Sequence, residues 1–197
     1  EASASRAGKH FNFTLGYMGS FFRNSDDALT WTNPFPGSSQ GQLALAPDNQ
    51  FHQITAMLGY DITPAIHASA NVAGGRLTQN ASYLAASLNP SLAVALPASS
   101  LDGLVYTFNS DVRVTANVLD RVRLNASYVR DVRDNRTVNR AWPAVVTDML
   151  LEPDARTNQT FNFINDRVRF NAEYRAPRDM RVAVGVYNDG FIHAGNL

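Results

Sequence analysis

The chain is 197 residues long, 45% apolar and formally uncharged, with 17 basic and 17 acidic side chains. The charge balance argues against a nucleic-acid partner, and the absence of cysteine removes disulfides, thiolate metal sites, cysteine nucleophiles and covalent attachment of c-type haem. No apolar run approaches the roughly 18 residues of a membrane helix, whereas a β-barrel wall stays open, because alternation hides its lipid-facing residues among polar ones.

Period-2 alternation dominates, and it predicts seven strands. Residues 1–10 are small and polar, with the look of mature sequence rather than a signal peptide. The first predicted strand, about 10–18, sets Phe11, Phe13, Leu15 and Tyr17 against Asn12 and Thr14. The second, about 51–60, gathers Ile54, Ala56, Leu58 and Tyr60 on one side. A short link leads to the third, about 65–76, where Ile66, Ala68, Ala70 and Val72 oppose His67, Ser69 and Asn71. The fourth, about 103–118, sets Tyr106, Phe108, Val112 and Val114 against Asn109, Asp111, Arg113 and Thr115. The fifth, about 122–131, follows a tight turn and opposes Leu124, Ala126 and Tyr128 to Arg123, Asn125 and Ser127. The sixth, about 160–175, ends with Val168, Phe170 and Tyr174 against Arg167, Arg169 and Arg175, and the seventh, about 180–187, carries Val182, Val184 and Val186. The segment 191–197 does not read as a closing strand, so both ends are expected to be cut from something longer.

The connections alternate strictly between tight (61–64, 119–121, 176–179) and long (roughly 19–50, 77–102, 132–159). Outer-membrane barrels place short turns on the periplasmic side and long loops outside, whereas a soluble sandwich has no reason to do so. Tyrosines of the apolar parity mark both strand ends, Tyr60 and Tyr174 beside tight turns and Tyr106 and Tyr128 beside long loops, as interfacial girdles require. From Tyr106 to Val118 the strand reaches about 40 Å, or about 30 Å vertically at a tilt of about 40°. The fold expected is therefore an all-β, antiparallel, up-and-down transmembrane barrel of outer-membrane type in a bacterial outer membrane. Seven strands leave two edges unpaired in lipid, so the rest of the wall is expected from further chain rather than from other copies.

Cost decides which face meets lipid. An arginine at mid-bilayer costs about 2–4 kcal/mol, so Arg113, Arg123, Arg167, Arg169 and Arg175, which share the polar parity, are expected to line the lumen and contact whatever occupies it. Lys9 is the only lysine, which fits either codon bias or a need for bidentate pairing with carboxylates.

Catalytic constellations are thin. His10, His52, His67 and His193 show no metal-ligand spacing, no G-x-S-x-G elbow occurs, and Gly74-Gly75 is no phosphate loop. A Ser–His pair from neighbouring strands is the one catalytic arrangement left open, and the chain is not expected to be an enzyme or to bind a metal.

The loops carry the distinctive text: Leu-x-Trp-x-Asn-Pro-Phe (29–35), Ala-Pro-Asp-Asn-Gln-Phe-His (46–52), Leu-Pro-x-x-Ser-Leu-Asp-Gly (96–103) and Tyr-x-x-Asp-x-Arg-Asp-Asn-x-Thr (128–137). In that order they resemble the MtrB/PioB family, outer-membrane barrels associated with decahaem cytochromes, and the likeness covers most of residues 11–187. It singles out Pro47, Asp48, Asn49, Leu101, Asp102, Gly103, Arg133, Asp134 and Asn135 as an outer-loop motif. The resemblance implies a sheath around a periplasmic multihaem c-type cytochrome, with the haem carried by that partner and no cofactor held by this chain. An outer-surface multihaem cytochrome and outer-membrane lipid are the further partners it implies. The lumenal arginines would face haem propionates or acidic side chains of the cytochrome. A general diffusion porin or substrate channel suits the same polar interior, and a partner-binding β-sandwich is the third alternative.

Overall fold

Alternation without a helical period yields an all-β chain, whose computed structural model describes residues 1–32, 40–92, 94–146, 150–178 and 180–194. In chain order the strands are β1 (Ala2–Ala7), β2 (Phe11–Phe22), β3 (Ala28–Thr32), β4 (Gln40–Ala44), β5 (Asn49–Thr63), β6 (Ile66–Gln79) and β7 (Gly103–Leu119). They continue as β8 (Val122–Asn135), β9 (Ala141–Trp142), β10 (Val145–Val146), β11 (Leu150–Leu151), β12 (Arg156–Thr157), β13 (Asn162–Arg175) and β14 (Arg181–Ala194). Eight of them form one antiparallel meander, β1-β2-β5-β6-β7-β8-β13-β14. The others pair locally above it as β3–β4, β10–β11 and β9–β12.

The wall thus has eight strands where alternation predicts seven. The additional one, β1, is Ala-Ser-Ala-Ser-Arg-Ala, exposed along its whole length and without an apolar face. Its place comes from the backbone ladder with β2, which runs from Ala2 opposite Tyr17 to Ala7 opposite Asn12. The last strand likewise runs to Ala194, through part of the segment expected to be irregular. Five strands outrun their predicted outer limits: β2 reaches Phe22, β5 begins at Asn49, β6 reaches Gln79, β8 reaches Asn135 and β14 reaches Ala194. Above the hydrocarbon both faces of a strand meet water, so the alternation that reveals a strand fades while the hydrogen-bond ladder continues.

The turns at one end are short: residues 8–10, Pro64-Ala65, Asp120-Arg121 and 176–180, where Arg178 takes the left-handed conformation at φ 67°. Register shifts fall beside two of them, at Asp61/Thr63 and Asn117/Leu119, where an extra residue lets the strand bend into the turn. At the opposite end the long connections are partly folded, holding the three hairpins and an isolated bridge between Ser82 and Ser100. Residues 33–35 of the first-loop text, Asp179 and residues 195–197 lie outside the described residues.

The sheet has no interior of its own. Val105 is the sole large apolar side chain buried among the described residues, while Phe13, Leu58, Val112, Phe170 and Val184 stand at 39%, 44%, 38%, 44% and 67% exposure. A soluble protein does not leave so continuous an apolar face in water; this one is made to be covered by lipid tails.

Candidate functional site

Cross-strand register sorts every wall residue to one face or the other, because a strand's side chains alternate. One row across the sheet reads Asn12, Gly59, Ser69, Arg113, Ser127, Arg169, Tyr187. The adjacent row reads Phe13, Leu58, Ala70, Val112, Tyr128, Val168, Asn188. The first belongs to a polar face and the second to an apolar one, and the segregation persists through the lower and middle wall except at Arg6 of β1, which stands on the apolar parity opposite Phe13.

All five arginines expected on the polar face lie there, in two groups. Arg113, Arg167 and Arg169 line an open hollow across β7, β8 and β13, together with Asp111, Asn125 and Asn171. Arg123 and Arg175 lie lower, beside the tight turns, with Arg121, Arg181, Asp120 and Glu173. In the upper group the guanidiniums are held by neighbours. Arg113 donates from Nε at 2.9 Å and Nη2 at 2.6 Å to the two oxygens of Asp111. Arg167 donates to Asp131 at 3.1 Å, and Asp131 also accepts from Asn109 at 2.6 Å. The Arg169 guanidinium lies 5.1 Å from the centre of the Tyr187 ring, whose hydroxyl donates to Asp189 at 2.5 Å. Nε of Arg167, Oδ1 of Asn165 and Oγ1 of Thr107 are covered yet have no hydrogen-bond partner among the described residues. The hollow is thus lined by guanidiniums of which Arg113 and Arg167 are engaged by Asp111 and Asp131, while Arg169 rests against the Tyr187 ring. Among the described residues no three His, Asp or Glu side chains converge on a metal-sized site.

Sequence reasoning missed part of this face. Arg133 shares its parity with Arg123, opposite Thr107 and Phe163, although its place among the loop text hides this. Arg181 pairs with Arg175 across β13 and β14, and Tyr187 and Asp189 follow on the same parity. Arg133 and Asp189 were readable by carrying the alternation past the apparent strand end, and Arg181 and Tyr187 from the polar parity of the seventh strand itself.

Near the outer ends the apolar face also carries charge, Arg76 opposite His52 and Tyr106 and several other groups in pairs. Tyr128 donates to Asp166 at 2.7 Å, and Arg130 lies 3.6 Å from the same carboxylate. Arg136 donates to Asp134 at 2.7 Å and covers the Tyr106 ring at 5.3 Å. Tyr17 hydrogen-bonds His52 at 2.6 Å. Tyr60 and Tyr174 occupy the same face at the other end, so phenols border the apolar band above and below.

The outer-loop motif residues are staples rather than one converged site. Asp48 accepts the Asn24 amide at 2.7 Å, the Pro47 carbonyl accepts from the Asn49 side chain at 3.3 Å, and Asn49 opens β5 opposite Phe22. On the other side Leu101 leads into Asp102, held at φ 49° with its carboxylate accepting from Ser100 at 2.8 Å, and Gly103 starts β7 beside Gln79. There the Asn135 amide donates to the Asn162 side chain at 2.5 Å, and Thr137 accepts the Leu104 amide at 3.1 Å. Pro47–Asn49 therefore fasten β2 to β5, while Leu101–Gly103 and Asn135 fasten the ends of β7, β8 and β13. Above them the Tyr83 ring meets Trp142 edge-on at 4.9 Å. Burial pushes the Tyr83 phenol above its ordinary pKa, with Arg140 opposing the shift and Asp102 adding to it.

A two-faced antiparallel meander with tyrosine borders, short turns at one end and long loops at the other defines the wall of an outer-membrane β-barrel. The family model described as "outer membrane beta-barrel porin, MtrB/PioB" matches residues 1–190. The chain belongs to the MtrB/PioB family of the bacterial outer membrane. It is 27% identical over 189 residues to the "Outer membrane protein MtrB" of Shewanella baltica (strain OS185), a match covering 94% of this chain and 26% of that relative. The chain therefore spans about a quarter of the relative's length, and β1 and β14 are open edges of its sheet. Unpaired edges are not tolerated in hydrocarbon, so closing such a wall takes further strands.

Proposed function

We propose that this wall is part of a sheath that encloses a multihaem c-type cytochrome and insulates it from lipid, so that electrons cross the outer membrane through the enclosed protein. The observation that carries the reading is the polar face: a broad lumenal surface set with guanidiniums and amides, on a chain of the MtrB/PioB family. Such a surface suits contact with haem propionates and acidic side chains of a folded guest. The haem belongs to the partner, since this chain has no cysteine for its attachment. An outer-surface multihaem cytochrome meeting the loop ends is the further partner of this reading. The wall's own task is to hold and exclude, and no residue of it needs to change oxidation state.

A diffusion porin is the second reading, favoured by the same wet, polar face and by the porin description of the family. Detergent extraction from native outer membranes followed by haem staining separates the two. Co-elution of a haem protein in fixed stoichiometry, resistant to added protease, supports the sheath. A haem-free barrel with steady ion conductance overturns it in favour of the porin.

A further inference from the structure

The lumenal face is not uniformly basic. On β7, β8, β13 and β14 it bears the arginines described above and, between them, only Asp111, Asp131, Glu173 and Asp189 as carboxylates. On β1, β2, β5 and β6 the same face is Ser, Thr, Asn, Gln, Gly, Ala and a few apolar residues, with Asp61 as its one carboxylate and no arginine or lysine. Even that carboxylate is engaged, because Asp61 lies 2.6 Å from Nδ1 of His67, directly opposite it on β6. Small residues make the neutral half flat as well as uncharged: Gly59 lies under the Asn12 amide, and the Phe51 ring lies over Gly75.

Each half is four strands wide, or about 19 Å at the spacing of neighbouring strands. That exceeds the Debye length of about 8 Å at physiological salt, so a guest in the lumen meets two electrically separate surfaces.

We infer that the β7–β14 half is a docking surface for an acidic face of the enclosed protein, and that the β1–β6 half is a neutral bearing surface. The guest is thereby fixed in rotation about the barrel axis, its carboxylates and haem propionates turned toward Arg113, Arg167 and Arg169. The charge complementarity selects a carboxylate-rich protein surface as the occupant. This inference rests on the sheath reading and adds an orientation to it.

The test uses the full-length protein in native outer membranes with its co-purifying haem protein. Arg113→Gln/Arg169→Gln is compared with Gln53→Glu/Thr55→Glu on the neutral half, with retention of the haem protein measured against salt. The arginine variant is expected to weaken retention roughly 10- to 100-fold at low salt, with the difference shrinking as salt rises. The β5 variant should change retention by less than about threefold, because its new charges face away from the acidic surface. Arg113→Lys/Arg169→Lys, which keeps the charge, is expected to recover part of the loss, and heat-modifiable migration on gels certifies that each barrel is folded. Equal effects from both halves, or no effect from either while the haem protein stays bound, would overturn the orientation and leave the sheath standing. Absence of any haem protein from the unmutated barrel, or a lumen that only selects small anions, would overturn both.

Discussion

Adjacent residues of β6 offer a sharp test of which face meets lipid. Ala70 sits in the apolar row between Leu58 and Val112, and Asn71 in the polar row between Met57 and Asp111. Ala70 lies four residues past Ile66, the first residue after the turn, hence about 10 Å above it at the usual rise and tilt and close to the middle of a band about 25 Å tall. Ala70→Arg places a guanidinium in hydrocarbon and should cost about 2–4 kcal/mol, a shift of about 30- to 900-fold in the folding equilibrium. Asn71→Arg puts the same group on the lumenal side opposite a carboxylate, where the change should stay within about 1 kcal/mol of zero. Guanidinium titrations of the barrel in lipid vesicles, followed by tryptophan fluorescence, report both values. Equal destabilisation by the two variants, or a larger loss from Asn71→Arg, would refute the assignment of faces.

Three other outcomes follow from particular contacts. Asp166→Asn removes the carboxylate that accepts from Tyr128 and pairs with Arg130 on the apolar face, and should cost about 1–3 kcal/mol in the same titration; Arg130→Leu/Asp166→Leu should recover most of it. Gly75→Val places a Cβ 2.5 Å from Thr107 Oγ1 and 2.7 Å from the Phe51 ring, an overpacking of about 1–3 kcal/mol that adding Phe51→Ala should relieve in part. The raised pKa of Tyr83 means the neutral phenol is favoured in the folded loop, so its packing on Trp142 holds below the ordinary value of 10.0 and is lost as pH climbs past the shifted one. The difference in 295 nm absorbance between the parent and Tyr83→Phe should accordingly titrate above 10.0.

Much of this architecture was legible because lipid imposes a strict rule on the strands. Where hydrocarbon touches one face, as along Val112, Val114 and Ala116, alternation is unbroken and the neighbouring Asp111 and Arg113 are assigned by parity alone. Legibility fails where that pressure ends. Ser3 and Ser5 of β1 belong to a strand held by main-chain pairing, which no side-chain pattern announces. Arg133 and Asn135 read as loop text because their strand has risen past the lipid. The upper Arg–Asp text was likewise ambiguous, since alternation cannot tell that Arg130 and Asp166 face outward as a pair while Asp131 and Arg167 pair on the inside. The grouping of the lumenal arginines on one half of the wall needed the strand order and register, because it is a property of neighbours that lie far apart in sequence.

The claim that this wall encloses an electron-carrying protein is tested most directly in sealed liposomes loaded with a redox dye and bearing the purified barrel complex. An external, membrane-impermeant reductant should reduce the trapped dye while the vesicles hold an ion gradient, and stripping the haem protein should abolish dye reduction and open an ion leak. Dye reduction by the haem-free barrel, or an ion leak through the intact complex that matches the stripped one, would contradict it.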